Sequence, residues 1–473
     1  MKKFEHVCSS VLRRVRPKGL ERQKVLELAE RMKLKVTNAV SESGLDAEVR
    51  IDGSVAKDTW LSGEADIDIF MRVPPTLTRD EFETTCLRVV RKALKGYRIV
   101  ERYAEHPYVE AWVEGTRVNV VPCYRVEKGN WKSATDRTPF HTEYMKSHLD
   151  EKLRDETRLL KKFMKGIDVY GAEIKVGGFS GMLCETLSLS YGTFRNTVTR
   201  ASDWRRSETM DVERYYEGRR EEVEQLFDTP LVVIDPVDRG RNAAAAVSSR
   251  RMWEFVAASR AFIQQPSLGF FYPTVSKPFS HKQIRSTMAR RGSVLLLIQI
   301  GRVDAVVDIL WSQLYKTERS LRNLLQENDF EVSKSASWSD EEKCNIVLFE
   351  LASATLSKSK RHMGPPVSRR EESERFLQKH LNKEDTVSGP WIEDDRWIVE
   401  KLRRNRSAEI LLEASLSSGG RTVGVAGRVA ESVIKRGFKI LLNEEIASLY
   451  RSNKQFASFL CSFLKGRPSW IDL

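Results

Sequence analysis

Two aspartates that alternate with apolar residues follow a Gly-Ser pair by about a dozen positions. The pair is Gly53-Ser54, and the alternating segment begins at Asp66 and has the sequence D-I-D-I-F. If this segment is a strand, Asp66 and Asp68 share one face while the isoleucines beside them enter the core. Strand rise then separates the two Cα atoms by about 7 Å, so the carboxylate oxygens can converge on magnesium.

The Gly-Ser pair could supply the phosphate-binding half of such a site. Backbone N–H groups and the Ser54 hydroxyl at a helix start can bind a triphosphate. An isolated Asp-x-Asp is more often a solvated strand face than a metal site. Its combination with Gly53-Ser54 at this spacing favours a catalytic site, and the chemistry indicated is metal-dependent nucleotidyl transfer.

The composition indicates several domains and a basic surface. With 473 residues the chain exceeds what one hydrophobic core supports, so about two to four domains are expected. Lys and Arg number 79 against 66 Asp and Glu, which gives a formal net charge of +13 and a pI of about 9.3. This excess suits a polyanionic partner, although a merely soluble basic protein could have the same composition.

The cysteines and apolar runs exclude several classes of protein. Six cysteines are scattered without a Cys-x-x-Cys pair or a histidine-rich cluster, so neither a zinc site nor a disulfide framework is indicated. We expect these cysteines to be reduced and buried. The longest apolar run, Val294 to Ile300, is too short to span a bilayer, and the first residues lack the apolar region of a signal peptide. A cytoplasmic location without membrane contact is therefore expected.

Helix and strand patterns alternate in the first part of the chain. An apolar stripe predicts a helix from Leu20 to Ser43, and Thr78 with Glu81 forms a capping box for a helix that continues to about Lys95. Strand-like runs follow from Tyr97 to Tyr103, from Tyr108 to Val113 and from Arg117 to Pro122, with a hairpin turn at Glu114-Gly115. These elements indicate an α/β head that ends near Tyr144.

The rest of the chain has a mixed pattern. Helices are predicted at Asp150–Lys165, Asp211–Phe227 and Thr317–Asn328, and strands at Leu231–Ile234, Val294–Ile300 and Asn345–Leu351. The Arg241-Asn242 dipeptide is expected to open an alanine-rich helix, and Lys358–Glu374 is expected to be a loop. The predicted domains are residues 1–145, 146–258 and 259–473.

Five further motifs follow in order along the chain. They are VVPCYRV, DRTPFH, LLKKFMKGIDVYGAEIKVGGFSGMLCE, VIDPVDRGRNAAAAVS and RHMGPP. With the Gly-Ser and Asp-x-Asp features they resemble the archaeal, class I CCA-adding enzymes, which are tRNA nucleotidyltransferases, from the N-terminus to at least Trp397. The resemblance implies an α/β (α+β) fold, in which a polymerase-beta-like nucleotidyltransferase head is followed by a helical neck and by α/β body and tail domains.

The resemblance also implies a reaction, which is template-independent addition of C, C and A to the tRNA 3′ end from CTP and ATP with magnesium. Recognition of the acceptor and T-stem by shape is expected. Two alternatives stay open, a catalytically silent relative that binds tRNA and nucleotides, and a poly(A)-type transferase whose addition does not stop after three nucleotides. The sequence does not determine the oligomeric state, and a homodimer is one assembly that it allows.

By resemblance, Asp66 and Asp68 bind the metal ions, while Ser54, after Gly53, and Lys57 contact phosphates. The family usually has Arg at the position of Lys57. A Lys is a point charge, so this departure loses a bidentate fork but keeps the attraction.

The second domain would complete the nucleotide pocket. By resemblance, Lys161 and Tyr170 hold the triphosphate and Arg241 contacts the base edge, although Lys161 could instead lie on a solvated helix face. The same carry-over places in the pocket Thr138, His141 and the Glu105-His106 pair. Helix capping by Thr138 and ordinary packing of each histidine are the alternatives.

One position departs from the family in a way that affects catalysis. The family has Val-Asp-Val-Val-Pro at its third carboxylate, where this chain has Asn119. An amide carbonyl ligates magnesium weakly, brings no charge and cannot raise the basicity of an attacking hydroxyl. Reduced activity is therefore expected, unless the site is rearranged.

Glu110 is the candidate for such a rearrangement. A tight hairpin turn at Glu114-Gly115 would place Glu110 across from Asn119 on the same side of the sheet, where it could supply the missing charge. The competing interpretation is that Glu110 is an exposed strand residue.

The segment from Arg396 to Arg406 is the candidate RNA-binding region. It is rich in basic residues and contains one acid, Glu400. As an isolated feature it would be interpreted as a solvated helix with a buried Trp. With a tRNA substrate, contact with the RNA backbone and bases is favoured, through Arg396, Trp397, Arg403 and Arg404.

Overall fold

The computed structural model describes residues 2–103, 106–274 and 278–472. The chain forms two compact units, the first made of residues 1–275 with 467–473 and the second of residues 276–466. None of the helices in the described ranges has the length and apolarity that crossing a membrane requires. All six cysteines are free, and all are buried except Cys344, which is half-buried.

The first unit contains ten α-helices and eight strands among its described residues. The helices are α1 (Lys2–Val15), α2 (Gly19–Ser43), α3 (Gly53–Lys57), α4 (Arg79–Ala93), α5 (Thr138–His148), α6 (Glu151–Gly166), α7 (Gly181–Tyr191), α8 (Phe194–Ala201), α9 (Arg220–Leu226) and α10 (Ser249–Gln264). The strands are β1 (Glu48–Asp52), β2 (Asp66–Val73), β3 (Arg98–Tyr103), β4 (Pro107–Val113), β5 (Thr116–Tyr124), β6 (Glu208–Met210), β7 (Leu231–Asp235) and β8 (Asp238–Asn242).

A five-stranded sheet with the order β1-β2-β5-β4-β3 positions the candidate carboxylates. Its central neighbours β2 and β5 are parallel, and the other neighbours are antiparallel. Ile67, Ile69 and Met71 are fully buried and pack in one cluster with apolar residues of α2 and α4. Because side chains alternate along a strand, Asp66 and Asp68 lie on the face away from these helices.

Several predicted elements of the head are confirmed. The helix α2 begins one residue before the predicted Leu20 and ends at the predicted Ser43. The α4 helix carries the reciprocal capping box of Thr78 and Glu81. The β4–β5 hairpin turns at Glu114-Gly115, as predicted.

The helical part of the first unit has an aromatic core. Phe163 of α6 packs against Phe194, Phe262 and Phe271, with ring centroids 5.3 to 5.5 Å apart. This cluster fixes α6 against α8 and α10. The polar side chains on the other side of α6 are therefore held in defined positions.

Two predictions for the hairpin region of the first unit are wrong. Residues 211–219 form turns instead of a helix, and α9 begins only at Arg220, because Arg214 and Gly218 have φ angles of 56° and 74° that an α-helix does not allow. The Arg241-Asn242 dipeptide ends β8 and opens no helix. The Asn242 side chain accepts hydrogen bonds from the backbone N–H groups of Val233 and Ala244, which holds the chain in the hairpin.

The second unit combines two sheets with helices. Its helices are α11 (His281–Arg291), α12 (Val307–Glu327), α13 (Arg370–His380), α14 (Ala408–Leu416), α15 (Gly427–Arg436), α16 (Ala447–Ser452) and α17 (Lys454–Lys465). Its strands are β9 (Val294–Ile300), β10 (Val332–Ser339), β11 (Asn345–Leu351), β12 (Ser359–Pro366), β13 (Thr386–Glu393), β14 (Arg396–Leu402) and β15 (Phe438–Leu442). The sheet orders are β10-β11-β9-β15 and β12-β14-β13.

In this unit the predicted bounds of β9 and β11 are confirmed. The predicted helix Thr317–Asn328 lies within the longer α12 except for Asn328, which is the C-cap. The predicted loop Lys358–Glu374 is wrong, because most of it forms the edge strand β12 and the start of α13. Its two prolines lie at the end of β12, where a missing N–H is tolerated. The segment from Arg396 is the central strand β14 instead of a solvated helix.

Candidate active site

The face of the first sheet away from α2 and α4 brings three candidate residues into one row. Asp68 of β2 is paired with Asn119 of β5, and Asn119 is paired in turn with Glu110 of β4. Directly paired residues on neighbouring strands share a face. The predicted register of the hairpin, with Glu110 across from Asn119, is therefore confirmed.

Asp68 lies in a tight, half-buried position. The Asn119 amide Nδ2 donates a hydrogen bond to Asp68 Oδ1 at 2.9 Å. Gly53 has a φ of 71°, and a Cβ atom at this residue would lie 2.1 Å from Asp68 Oδ2, so only glycine fits beside the carboxylate. Burial raises the pKa of Asp68 to about 6, the charge of Asp66 acts in the same direction, and the Asn119 amide acts against both.

Asp66 and Glu110 share a cation. The Arg117 guanidinium forms a fork on Asp66, with Nε donating at 2.8 Å and a second nitrogen contacting the other oxygen. Arg117 also lies 3.8 Å from Glu110, which Arg102 contacts at 3.4 Å. Glu110 is only 6% exposed, so its interpretation as an exposed strand residue is wrong.

The donor set of this face fits a hard divalent cation. Asp66 and Asp68 provide carboxylate oxygens, Asn119 has a carbonyl oxygen, and Gly53 leaves space beside Asp68. Among the described residues, however, no three acidic, histidine or cysteine side chains converge as they would on a metal ion. Glu110 thus faces Asn119 by register, while its carboxylate is directed to arginines.

The Gly-Ser turn precedes the short helix α3. The Ser54 hydroxyl is half-buried and has no hydrogen-bond partner among the described residues. Lys57, at the other end of α3, is buried and its ammonium donates to Glu185 Oε2 at 2.5 Å. The turn therefore places the Ser54 hydroxyl one residue after Gly53, which lies against Asp68, while the Lys57 charge is already paired.

Glu185 of α7 joins two lysines that the sequence assigned to phosphate binding. The Lys161 ammonium donates to Glu185 Oε1 at 2.9 Å, to Thr59 Oγ1 at 2.9 Å and to the Thr59 carbonyl at 3.2 Å. These acceptors use all three N–H donors of Lys161. Burial alone would raise the pKa of the fully buried Glu185, but Lys161 and Lys57 lower it to about 2. We call Lys57, Thr59, Lys161 and Glu185 the Glu185 cluster.

Tyr170 lies next to this cluster at the start of α7. A Cβ atom at Gly181 would lie 3.0 Å from the Tyr170 hydroxyl and 3.6 Å from Lys161 Nζ. The Ser180 side chain caps α7 by accepting from the Leu183 N–H. A phenol hydroxyl, an ammonium and a helix N-terminus thus meet at the glycine-rich turn, an arrangement that suits an anion.

A third group contains two more of the predicted residues. His141 of α5 contacts both Asp235 oxygens through Nε2 at 2.9 Å, and Arg241 of β8 contacts Asp235 Oδ2 at 2.5 Å. We call His141, Asp235 and Arg241 the Asp235 cluster. Burial would raise the pKa of Asp235, but the hydrogen bond and charge of His141 and the charge of Arg241 lower it to about 2.

The remaining pocket candidates differ in placement. Thr138 is the first residue of α5, the cap position is Arg137, and no side chain caps this helix, so the capping interpretation of Thr138 is wrong. His106 is buried and packs on Phe82 with centroids 4.9 Å apart. Glu105 lies outside the described residues.

The candidate RNA-binding residues lie on and after β14 in the second unit. Arg396 and Arg404 are exposed, whereas Arg403 contacts Asp329 and has a side chain only 16% exposed. Trp397 is half-buried, and its indole nitrogen has no hydrogen-bond partner among the described residues. The four residues thus differ in how accessible they are to RNA.

Four residues of these clusters were not among the candidates predicted from the sequence, namely Thr59, Arg117, Glu185 and Asp235. Glu185 and Asp235 stand inside quoted motifs, GGFSGMLCE and VIDPVDRG, so their position in those motifs was an available signal. Arg117 had a signal too, because it is two positions from Asn119 on the same strand face. Nothing in the sequence distinguishes Thr59.

A cavity of about 540 Å³ lies in the first unit but contains none of these candidates. It is lined by residues between Arg205 and Val223, including Arg206, Arg214 and Tyr216. We assign the active site from the chemistry of the sheet face instead, because size alone does not supply metal or phosphate ligands.

A mixed sheet with two carboxylates beside a Gly-Ser turn defines a nucleotidyltransferase, and the nucleotidyltransferase-domain family matches residues 34–141. Enzymes of this fold generally use divalent metals. Residues 155–272 match the tRNA nucleotidyltransferase second domain, and residues 291–443 match the C-terminal domain of the CCA-adding enzyme.

Relatives similar over nearly the whole length identify the family. The chain is 38% identical to a CCA-adding enzyme of Methanothermobacter thermautotrophicus over 96% of this chain and 97% of that one. It is also 38% identical to a CCA-adding enzyme of Methanosarcina barkeri, over 94% and 95% respectively. The chain belongs to the family of CCA-adding enzymes, which confirms the resemblance seen in the motifs.

A solved structure of a cytoplasmic RNA terminal U-transferase is also similar. It is 13% identical to this chain, and the match covers 57% of this chain and 98% of that one with a TM-score of 0.45.

Proposed function

We propose that this protein adds C, C and A to the 3′ end of tRNA from CTP and ATP without a nucleic-acid template. The observation that carries the proposal is that Asp66, Asp68 and Asn119 share one sheet face beside Gly53-Ser54, in a chain that belongs to the CCA-adding family. Nucleotidyl transfer needs little covalent chemistry from the protein, so positioning and electrostatics supply most of the rate.

Asp66 and Asp68 would hold magnesium, with the Asn119 carbonyl as a weak third ligand. When bound, the metal ions activate the tRNA 3′ hydroxyl and stabilise the leaving pyrophosphate. Arg117 must then release Asp66, and Glu110 is the carboxylate that its guanidinium already approaches, at 3.8 Å. Glu110 therefore serves as the acceptor for Arg117 in this proposal.

The triphosphate would lie between the Gly-Ser turn and the glycine-rich turn before α7. Ser54 contributes its hydroxyl, and Tyr170 contributes a phenol hydroxyl near the start of α7. Lys57 and Lys161 supply positive charge from the Glu185 cluster, and Lys161 must exchange one of its acceptors to contact a phosphate directly.

Base selection would rest on Arg241. Cytosine and adenine both present an exocyclic amino group and a ring acceptor, so one guanidinium with backbone groups and RNA phosphate can accept both and exclude uracil and guanine. Thr138 and His141 would line the same pocket, and the Arg241 side chain is 39% exposed, which leaves it accessible to a base.

The second unit would contact tRNA through β14 and the segment after it. Arg396, Trp397 and Arg404 are the accessible candidates, and recognition by shape of the acceptor and T-stem follows from backbone contacts. Arg403 would contribute less, because Asp329 already pairs with it. Three further points stay predictions. They are the domain boundaries at residues 145 and 258, assembly as a homodimer, and a cytoplasmic location.

The test is nucleotide addition to a tRNA that lacks its 3′ CCA, with magnesium and each labelled nucleotide singly and together. We expect CTP and ATP to be incorporated, UTP and GTP to be rejected, and addition to stop after three nucleotides. Efficient UTP addition would refute the assignment of Arg241, and continued addition of A would favour a poly(A)-type activity. Binding of tRNA without any addition would favour a silent relative.

A further inference from the structure

Asp235 is a fully buried carboxylate at the end of β7, in the short link to β8. It accepts hydrogen bonds from His141, from Arg241 and from the Val237 backbone N–H at 3.0 Å. Three donors around one carboxylate fix its orientation, and the carboxylate in turn fixes the groups that donate to it.

Arg241 depends on this contact for its position. It is in the exposed half of the hairpin, and Asp235 is the one carboxylate with which it forms an ion pair among the described residues. A long side chain loses discrimination when it is free to move, because a base-reading group must be held within about 0.5 Å of its productive position. The Asp235 contact leaves the other guanidinium nitrogens of Arg241 available.

The same carboxylate ties the hairpin to the head. His141 belongs to α5, which follows the first sheet, and the two residues are 94 positions apart in the chain. A parallel contact joins Arg137 Nε to Asp238 Oδ2 at 2.7 Å, at the other end of the β7–β8 link. Two acids of one hairpin thus bind two residues at the start of α5, but only Asp235 also binds Arg241.

We propose that Asp235 is a positioning residue for nucleotide selection, which orients Arg241 and locks it to His141 without contacting the nucleotide itself. The proposal rests on the proposed role of Arg241 in base recognition. It predicts that base choice is lost when Asp235 loses its charge, even if Arg241 is present.

The test compares Asp235→Asn with Asp238→Asn, a matched control that removes an acid of the same hairpin but not the Arg241 contact. Rates of CTP, ATP, UTP and GTP addition are measured singly on the shortened tRNA, with kcat and KM separated. Asp235→Asn should lower the preference for CTP over UTP by about ten- to a hundredfold, mainly through KM, whereas Asp238→Asn should keep it.

A double variant tests whether Asp235 acts through Arg241. Asp235→Asn combined with Arg241→Ala should select bases no worse than Arg241→Ala alone. Additive losses, or equal effects of Asp235→Asn and Asp238→Asn, would overturn the proposal. If Asp235→Asn does not fold, Asp235→Glu carries the test, because it keeps the charge but displaces the guanidinium, and unchanged selection by this variant would also overturn it.

Failure of the underlying assignment gives a different result. If Arg241→Ala keeps the rejection of UTP, then Arg241 does not select the base and the proposed function needs revision at this residue. If Arg241→Ala relaxes base choice while Asp235→Asn does not, only the positioning role of Asp235 is wrong.

Discussion

Asp235 is a fully buried aspartate of the first unit and Asp68 is a half-buried one, and their pKa values shift in opposite directions. Burial acts to raise both. At Asp235 the contacts with His141 and Arg241 outweigh burial and lower the pKa to about 2. At Asp68 the Asn119 amide and the charges of Lys57 and Arg117 do not outweigh burial, and the pKa rises to about 6. An acid whose charge is balanced by neighbouring donors holds other side chains in place. An acid whose charge is only partly balanced, beside a glycine turn, is suited to binding an external cation.

The largest expected effect follows from this difference. Asp68→Asn should reduce nucleotide addition by more than about a thousandfold, because it removes a metal ligand that no neighbour replaces. Affinity for tRNA should be unchanged, since the RNA contacts are predicted at basic residues of the second unit. Addition rates and tRNA binding are measured in parallel, with Asp46→Asn, an exposed acid paired with Arg125, as control. Retained activity in Asp68→Asn would remove the metal site from this face.

Asn119→Asp should have the opposite effect and raise the rate of nucleotide addition. A carboxylate at this position would add a charged oxygen ligand to the predicted metal site, so we expect addition to rise by about a hundred- to a thousandfold, with nucleotide and tRNA affinities nearly constant. Single-turnover rates and separate affinity measurements check this. Asn130→Asp, which adds the same charge at an exposed loop position, is the control and should have no effect.

The alternative to this prediction is a rearranged site. No gain from Asn119→Asp, together with loss of activity in Glu110→Gln, would mean that Glu110 acts as the third carboxylate in spite of its contacts with arginines.

Replacing Glu185, whose charge is balanced by two lysines, should change the stability of the fold. Glu185→Gln leaves two buried lysines without their counter-charge and should lower the free energy of unfolding by about 3 to 5 kcal/mol in urea denaturation. Because the folded pKa is lowered to about 2, the stabilisation is fully present above the ordinary glutamate pKa and is lost as the pH falls from about 4.5 to about 2. Glu64→Gln, a half-exposed acid paired with Lys165, should cost less than about 1 kcal/mol. A similar acid dependence in wild type and Glu185→Gln would contradict the role of Glu185.

The smallest expected effect concerns two arginines, one with a paired charge and one exposed. Arg404 is exposed while Arg403 pairs with Asp329, so Arg404→Gln should lower the salt slope of tRNA binding by about one and Arg403→Gln should change it little. Binding constants across a salt series measure both slopes. Equal changes would show that the Asp329 contact does not withhold Arg403 from RNA.

The sequence by itself determined the local parts of this protein. Alternation placed Asp66 and Asp68 on one face, the capping box set the start of α4, and a tight hairpin turn was enough to pair Glu110 with Asn119. These features depend on periodicity and on contacts close in the chain, which sequence patterns record. The same logic failed where tertiary contacts overrode local preference, as in Arg241, which is in a strand because Asn242 holds the hairpin.

Only the tertiary structure decided which charges are paired. Lys57 contacts Glu185 across 128 positions, and His141 contacts Asp235 across 94. No periodicity links such residues, because their encounter depends on how separate elements pack together. The sequence therefore named Lys161, His141 and Arg241 as candidates, while the fold alone showed that Glu185 and Asp235 hold them.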